Sequence, residues 1–234
     1  MGLISAPEAA VQLGVSRTRI QQRIQDGSLP ARKVGRQWVI DQADLREIAH
    51  HTDPGRPLSR ASAGALIAVA ADVADHLSPW AKSRARARLA QLLEEAPHER
   101  DLDDFAVLML RTLGHRAARE LYRASPLDLA GLRDDARMHL SGLSSPKAQM
   151  SALDVVEGYS RAGDRDALVR DHLLVPASAD RANVVLHVVD EAVDPERYKD
   201  IDLVIAADLA EHPGPRERAR AQELLAERAQ RRGA

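Results

Sequence analysis

The chain has no cysteine, which excludes disulfide staples and thiolate metal sites and fits a reducing cytoplasm. It is nearly without aromatic side chains: phenylalanine occurs once, at Phe105, and aromatics make up 3% of 234 residues. A core must therefore be built from Leu, Val, Ile and Ala, and a chain rich in Ala, Leu, Arg and Glu favours helices. Lysine stands only at 33, 82, 147 and 199, while arginine and alanine abound, a bias that points to a GC-rich bacterial genome. Neither sign of charge dominates. The formal net charge of −2 excludes a surface that is basic throughout and leaves room for a local basic patch. The most apolar stretch, 63–74, is too short to span a bilayer and contains Asp72. Met1–Ala10 lacks the basic start and apolar run of a secretion signal, and Ala6 stands where myristoylation needs Ser or Thr. These absences predict a soluble, cytoplasmic protein with no membrane partner.

What is present begins with Ser5-Ala6-Pro7-Glu8, which has the form of a capping box at the head of a helix. That helix buries Ala9, Ala10 and Leu13 and stops at Gly14. Ser16 then caps a second helix, whose Ile20 and Ile24 share one face. Its outward face carries Arg17, Thr18, Gln21 and Gln22, flanked by Arg19 and Arg23. Arginine pairs bidentately with guanine and glutamine with adenine at major-groove edges. Two short helices around a glycine turn, with donors on the second, predict a helix-turn-helix that binds double-stranded DNA. From Ala31 to Ile40 the alternation predicts a two-stranded ribbon turned at Gly35-Arg36, with Val34, Trp38 and Ile40 on its inner face. Arg32, Lys33 and Arg36 make its tip positive, where phosphate or minor-groove contact is expected. Asp41 caps a third helix holding Leu45 and Ile48. From Arg17 to Arg36 the basic residues are opposed only by Asp26, whereas an ordinary surface interleaves both signs.

Residues 3–48 resemble the excisionase and MerR class of winged helix-turn-helix domains. The resemblance lies in Glu8-Ala9-Ala10, Leu13-Gly14-Val15-Ser16, Ile20, Gly27, Leu29-Pro30, Val34-Gly35-Arg36, Trp38 and Ile40. It implies DNA contact through Ser16, Arg17, Thr18, Arg19, Gln21, Gln22 and Arg23 in the groove and through Arg32, Lys33 and Arg36 in the wing. Members often carry an aromatic near position 21, where Gln21 and Gln22 stand here, so the details of base readout do not transfer.

Residues 51–60, with Pro54, Gly55 and Pro57, read as a linker. A helical segment over 61–114 follows. Leu66, Val69, Ala70, Val73 and Leu77 form one stripe; Pro79 opens a helix with Leu89, Leu92 and Leu93; Phe105, Met109 and Leu113 mark a third after Asp101. Arg84, Arg86 and Arg88 read as a solvated helix face, and His50-His51 with Asp53 as linker residues without a metal.

Over 115–234 short strands alternate with helices: strands at 119–123, 138–143, 154–159 and 183–189, helices at 126–134, 164–173 and from Pro215 to Arg231, and a further strand at Leu203–Ile205. Val184, Leu186 and Val188 share one face of their strand. The order predicts a split βαβ, or ferredoxin-like, domain for partner or effector contact. The whole chain is thus read as α+β: a winged helix-turn-helix at 1–50, the linker, the helical segment and the α/β domain. Asp208, Glu211 and His212 cluster in sequence, but His212 precedes Pro213-Gly214-Pro215, where it completes a helix end. No phosphate-binding glycine loop, nucleophile elbow or zinc-protease motif occurs. No catalytic residue, cofactor or metal is therefore expected.

More loosely, the whole chain is similar to abortive-infection antitoxins, in Leu140-Ser141-Gly142, Asn183-Val184-Val185-Leu186-His187, Ala207-Asp208-Leu209 and Pro215-Arg216-Glu217. That resemblance implies a transcriptional regulator that represses its own operon, with a nucleotidyltransferase-like toxin as partner. The alternatives are an architectural DNA-binding protein of the excisionase kind and an enzyme delivered to DNA that uses carboxylates of the C-terminal half. No heptad seam specifies an oligomeric state.

Overall fold

The computed structural model describes residues 3–12, 16–25, 29, 31–35, 37–41 and 57–233. They fall into two compact units, Met1–Gly55 and Arg56–Ala234. Both mix helix and strand, so the chain is α+β.

The first unit contains β1 (Leu3–Ser5), α1 (Ala6–Gln12), α2 (Arg17–Gln25), β2 (Arg32–Val34) and β3 (Gln37–Asp41). The capping box forms: the Ser5 amide donates to Glu8 Oε2 at 2.8 Å, and the Glu8 amide to Ser5 Oγ at 3.4 Å. β2 and β3 are the expected ribbon, and Gly35 takes a left-handed φ of 62° in its turn, as a two-residue hairpin loop requires. β1 has no counterpart in the sequence reading. It pairs antiparallel with β3, giving the sheet order β1-β3-β2. Three residues are too few to show a period, and only the partner strand makes them extended. Ile4, Ala9, Ala10, Ile20, Leu29 and Ile40 close the core.

The inner face of the ribbon departs from expectation. Val34 pairs with Gln37 and Lys33 with Trp38, and paired residues share a face while neighbours along a strand alternate. Val34 therefore lies opposite to Ile40 and is 56% exposed; Trp38 shares Ile40's face but remains 37% exposed at its edge. Gly14, the third helix and most of the linker lie outside the described residues.

The second unit opens with α3 (Arg60–Ala70), α4 (Pro79–Glu95) and α5 (Leu102–Leu113). Each has a side-chain cap: Ser59 accepts from the Ser62 amide, Ser78 from Ala81, and Asp101 from Asp103 and Asp104. The expected stripe through Val73 and Leu77 is cut short. Asp72 takes a φ of 58°, and the Val73 and Asp72 amides bond back to Ala68 and Val69, a Schellman stop that leaves Val73 41% exposed.

Next come β4 (Ala118–Arg123), α6 (Leu129–Arg133), β5 (His139–Leu140), β6 (Val156–Arg161), α7 (Ala162–Asp171), β7 (Val175–Pro176) and β8 (Val184–Val189). The sheet order is β5-β6-β8-β4-β7, with β6 and β8 parallel and the other pairs antiparallel. A split βαβ needs a strand between the parallel pair. Here β6 and β8 are direct neighbours joined through α7, so the unit holds a plain βαβ and the ferredoxin-like expectation is corrected.

The second correction is Leu203–Ile205, which belongs to helix α8 (Asp202–Ala210), every residue of which is buried. An apolar run enclosed on all sides carries no period to separate strand from helix. A helix satisfies its own backbone groups when buried away from a sheet. α9 (Pro215–Gly233) packs along it. One face of the sheet meets α6 and α7 through Val184, Leu186, Leu132 and Leu168. The other meets α8, through a core that also takes in Leu66, Leu92, Met109 and Leu224. The helical segment and the α/β half thus share one core.

Candidate nucleic-acid interface

α2 supplies the first part of the site. At about 100° per residue, Ile20 and Ile24 point one way and Gln22 the opposite way. Ile20 is fully buried and Ile24 half-buried, whereas Arg17, Thr18, Gln21 and Gln22 are exposed. The apolar face is thus spent on the core, and four polar side chains are left on the surface of one short helix. Ser16, just before it, is exposed, and its carbonyl accepts from the Ile20 amide.

β2 supplies the second part. Arg32 and Lys33 are both exposed but lie on opposite faces of the strand, since adjacent residues alternate. Lys33 stands across from Trp38 on β3, beside the half-exposed indole. Arg36 and the side chains of Arg19 and Arg23 lie outside the described residues. The structure therefore shows six of the ten expected contact residues as exposed on α2 and β2, and a seventh, Ser16, at the start of α2.

The carboxylates of the C-terminal half have a different fate. Asp208 on α8 is fully buried, and its Oδ1 accepts from Arg116 Nη2 at 2.5 Å and from Tyr159 Oη at 2.6 Å. Its Oδ2 accepts from Ser141 Oγ. Glu211 pairs with Arg116 at 2.5 Å and with Arg119 at 3.1 Å. His212 does follow the end of α8, but its imidazole serves Glu157 on β6, Nε2 to Oε2 at 2.9 Å. Glu157, also fully buried, takes His187 on its other oxygen at 3.0 Å and the Leu143 amide at 2.8 Å. Burial opposes the Glu157 charge, yet the two histidine hydrogen bonds hold its pKa well below the usual carboxylate range. Burial would likewise lower the His212 pKa, and the bond to Glu157 with its charge reverses this and raises it.

Gly142 makes this packing possible. It has a φ of 51°, and a Cβ there would sit 2.1 Å from Glu157 Oε2. Sequence reasoning singled out Asp208, Glu211 and His212 but missed Arg116, Tyr159, His187 and Glu157, which are scattered over 72 positions of chain. The alternation of β8 was the available signal: with Val184, Leu186 and Val188 on one face, His187 had to point into the opposite layer. Among the described residues no group of three His, Asp or Glu is placed to hold a metal ion, and no helix is long and apolar enough to cross a membrane.

No curated protein and no solved structure matches the chain. Residues 3–50, about a fifth of it, match the family model of a helix-turn-helix domain. With two short helices, a three-stranded sheet and an exposed polar face on the second helix, the N-terminal unit is a helix-turn-helix domain.

Proposed function

We propose that the chain is a sequence-specific DNA-binding transcription regulator. α2 enters the major groove, and the β2–β3 ribbon lies against the sugar–phosphate backbone. The observation that carries this reading is the division of α2: Ile20 and Ile24 anchor it, while Arg17, Thr18, Gln21 and Gln22 remain free of the core. Arginine and glutamine are the side chains that read guanine and adenine edges. Arg32 and Lys33 add the cations that position a protein on phosphate.

The same reading takes the role as binding rather than catalysis, and it is supported by Asp208, which accepts from Arg116, Tyr159 and Ser141 and is buried away from solvent. The finer reading, an autorepressing antitoxin with a nucleotidyltransferase-like toxin, rests on sequence resemblance. Co-purification with the product of the neighbouring open reading frame tests it.

The main test is fluorescence anisotropy with duplex fragments from upstream of the chain's own gene and with unrelated duplexes. A preference for one upstream fragment supports a regulator. Equal, weak binding to every duplex points instead to an architectural role.

A further inference from the structure

The second unit contains a cavity of about 570 Å3, within the size range of small-molecule sites. One wall is α3, which presents Ala61, Gly64, Ala65 and Ala68 to it; the other is the segment from Asp190 to Tyr198. Glycine inside a helix is less favourable than alanine. At Gly64 no packing asks for it, because an added Cβ would meet nothing within 4 Å. The bare helix face leaves volume that neighbouring side chains do not fill.

Tyr198 provides the polar group. It is 5% exposed, and its ring lies against Tyr159 with centroids 4.8 Å apart. Its hydroxyl has no hydrogen-bond partner among the described residues. The charges of Arg116, Arg60 and Asp190, all lining the cavity, act on it. The ring is buried, but the hydroxyl is not among the buried unpartnered atoms, so it is open to bond a ligand atom in the cavity.

Charge decides the class of ligand. Arg60 is neutralised by Asp190, Asp194 by Arg161, and Arg116 by Asp208 and Glu211. Arg197 lines the same cavity, and its guanidinium has no partner among the described residues. One spare cation and one spare hydroxyl suit the two oxygens of a carboxylate; a phosphate dianion asks for more positive charge. The apolar wall of α3 suits a hydrocarbon body. We propose that the cavity between α3 and the Asp190–Tyr198 segment binds a small organic monocarboxylate with an apolar body, held by the Tyr198 hydroxyl and Arg197.

The site lies wholly within the second unit, and its test is independent of DNA. The full chain is titrated calorimetrically with benzoate and octanoate, with benzamide and inorganic phosphate as comparisons. One carboxylate saturates a single site, and benzamide and phosphate bind at least about tenfold more weakly. Gly64→Leu fills the cavity and abolishes binding while preserving or raising the melting temperature, since leucine is the better helix former. Tyr198→Phe keeps the ring and weakens binding about 3- to 10-fold, the loss of one hydrogen bond. No saturation by either carboxylate at millimolar concentration overturns the proposal. So does wild-type affinity in Gly64→Leu, and equal affinity for benzamide overturns the assignment of an anion.

Discussion

Arg116 and Asp208, 92 positions apart, close an ion pair in which neither side chain is more than 2% exposed. Two nitrogens of the guanidinium converge on Oδ1 of the carboxylate, at 2.5 and 3.1 Å. Nε shares its hydrogen with Tyr159 Oη, and Nη1 donates to the Leu113 carbonyl and to Glu211. The pair ties α8 to the chain entering β4. Removing one partner leaves the other charged and buried, so Asp208→Ala is expected to destabilise the second unit by about 3–5 kcal/mol. Combining it with Arg116→Met removes the stranded charge and restores part of the loss. Urea denaturation of both variants measures this; a double variant no better than the single would mean that packing around Asp208, not charge, is what matters.

The Glu157–His212 pair makes stability depend on pH at both ends. His212 has a folded pKa above its ordinary 6.5, so its contribution is complete below that value and is lost as pH rises through the folded pKa. Glu157 has a folded pKa below its ordinary 4.5, so its contribution is complete above that value and is lost as pH falls toward the folded one. Arg119, which lowers the His212 pKa, and Asp208, which raises it, also act on the imidazole. Melting temperature is expected to decline from neutral to alkaline pH, and His212→Gln to flatten that limb. An unchanged limb in the variant would assign the decline to other groups.

Gly142→Ala combines a left-handed backbone with a Cβ at 2.1 Å from the buried Glu157 carboxylate. Strain and overpacking together are expected to cost about 2–5 kcal/mol. Thermal denaturation reads the loss, and Gly64→Ala, in open space, is the control that should gain stability.

DNA binding is expected to weaken steeply with salt, with a log–log slope near −4 to −5 for about five phosphate contacts. Arg32→Ala and Lys33→Ala should each reduce that slope by about 1 and weaken all duplexes alike. Arg17→Ala and Gln21→Ala should instead alter preference at single base pairs, by about 1–3 kcal/mol. Anisotropy titrations on a set of single-base variants separate the two. Uniform weakening by Arg17→Ala and Gln21→Ala would remove α2 from the role of recognition helix.

Ile20 is fully buried in the core of the first unit. Ile20→Ala is expected to cost about 2–5 kcal/mol, enough to unfold a unit this small. DNA binding should vanish while the melting transition of the second unit persists. Calorimetry on the full chain distinguishes this from a general collapse.

The sequence by itself determined the elements with strong local signals. Ser5 and Glu8 show their cap, Asp101 and Pro79 their helix starts, and Val184, Leu186 and Val188 their strand, because each rests on residues a few positions apart. The polar surface of α2 was legible for the same reason: Ile20 and Ile24 assign the buried face, and Arg17, Thr18, Gln21 and Gln22 are what remains. Tertiary structure alone decided the rest. Leu203–Ile205 became helix because burial on every side erases the period that would identify it. β1 became a strand because β3 stood ready to pair with it. Val34 turned outward because its register places it across from Gln37. Asp208 and His212 became parts of a sealed network because Arg116, Tyr159 and Glu157, distant in sequence, fold against them, and the pairing of buried charges depends on distances that linear spacing does not contain.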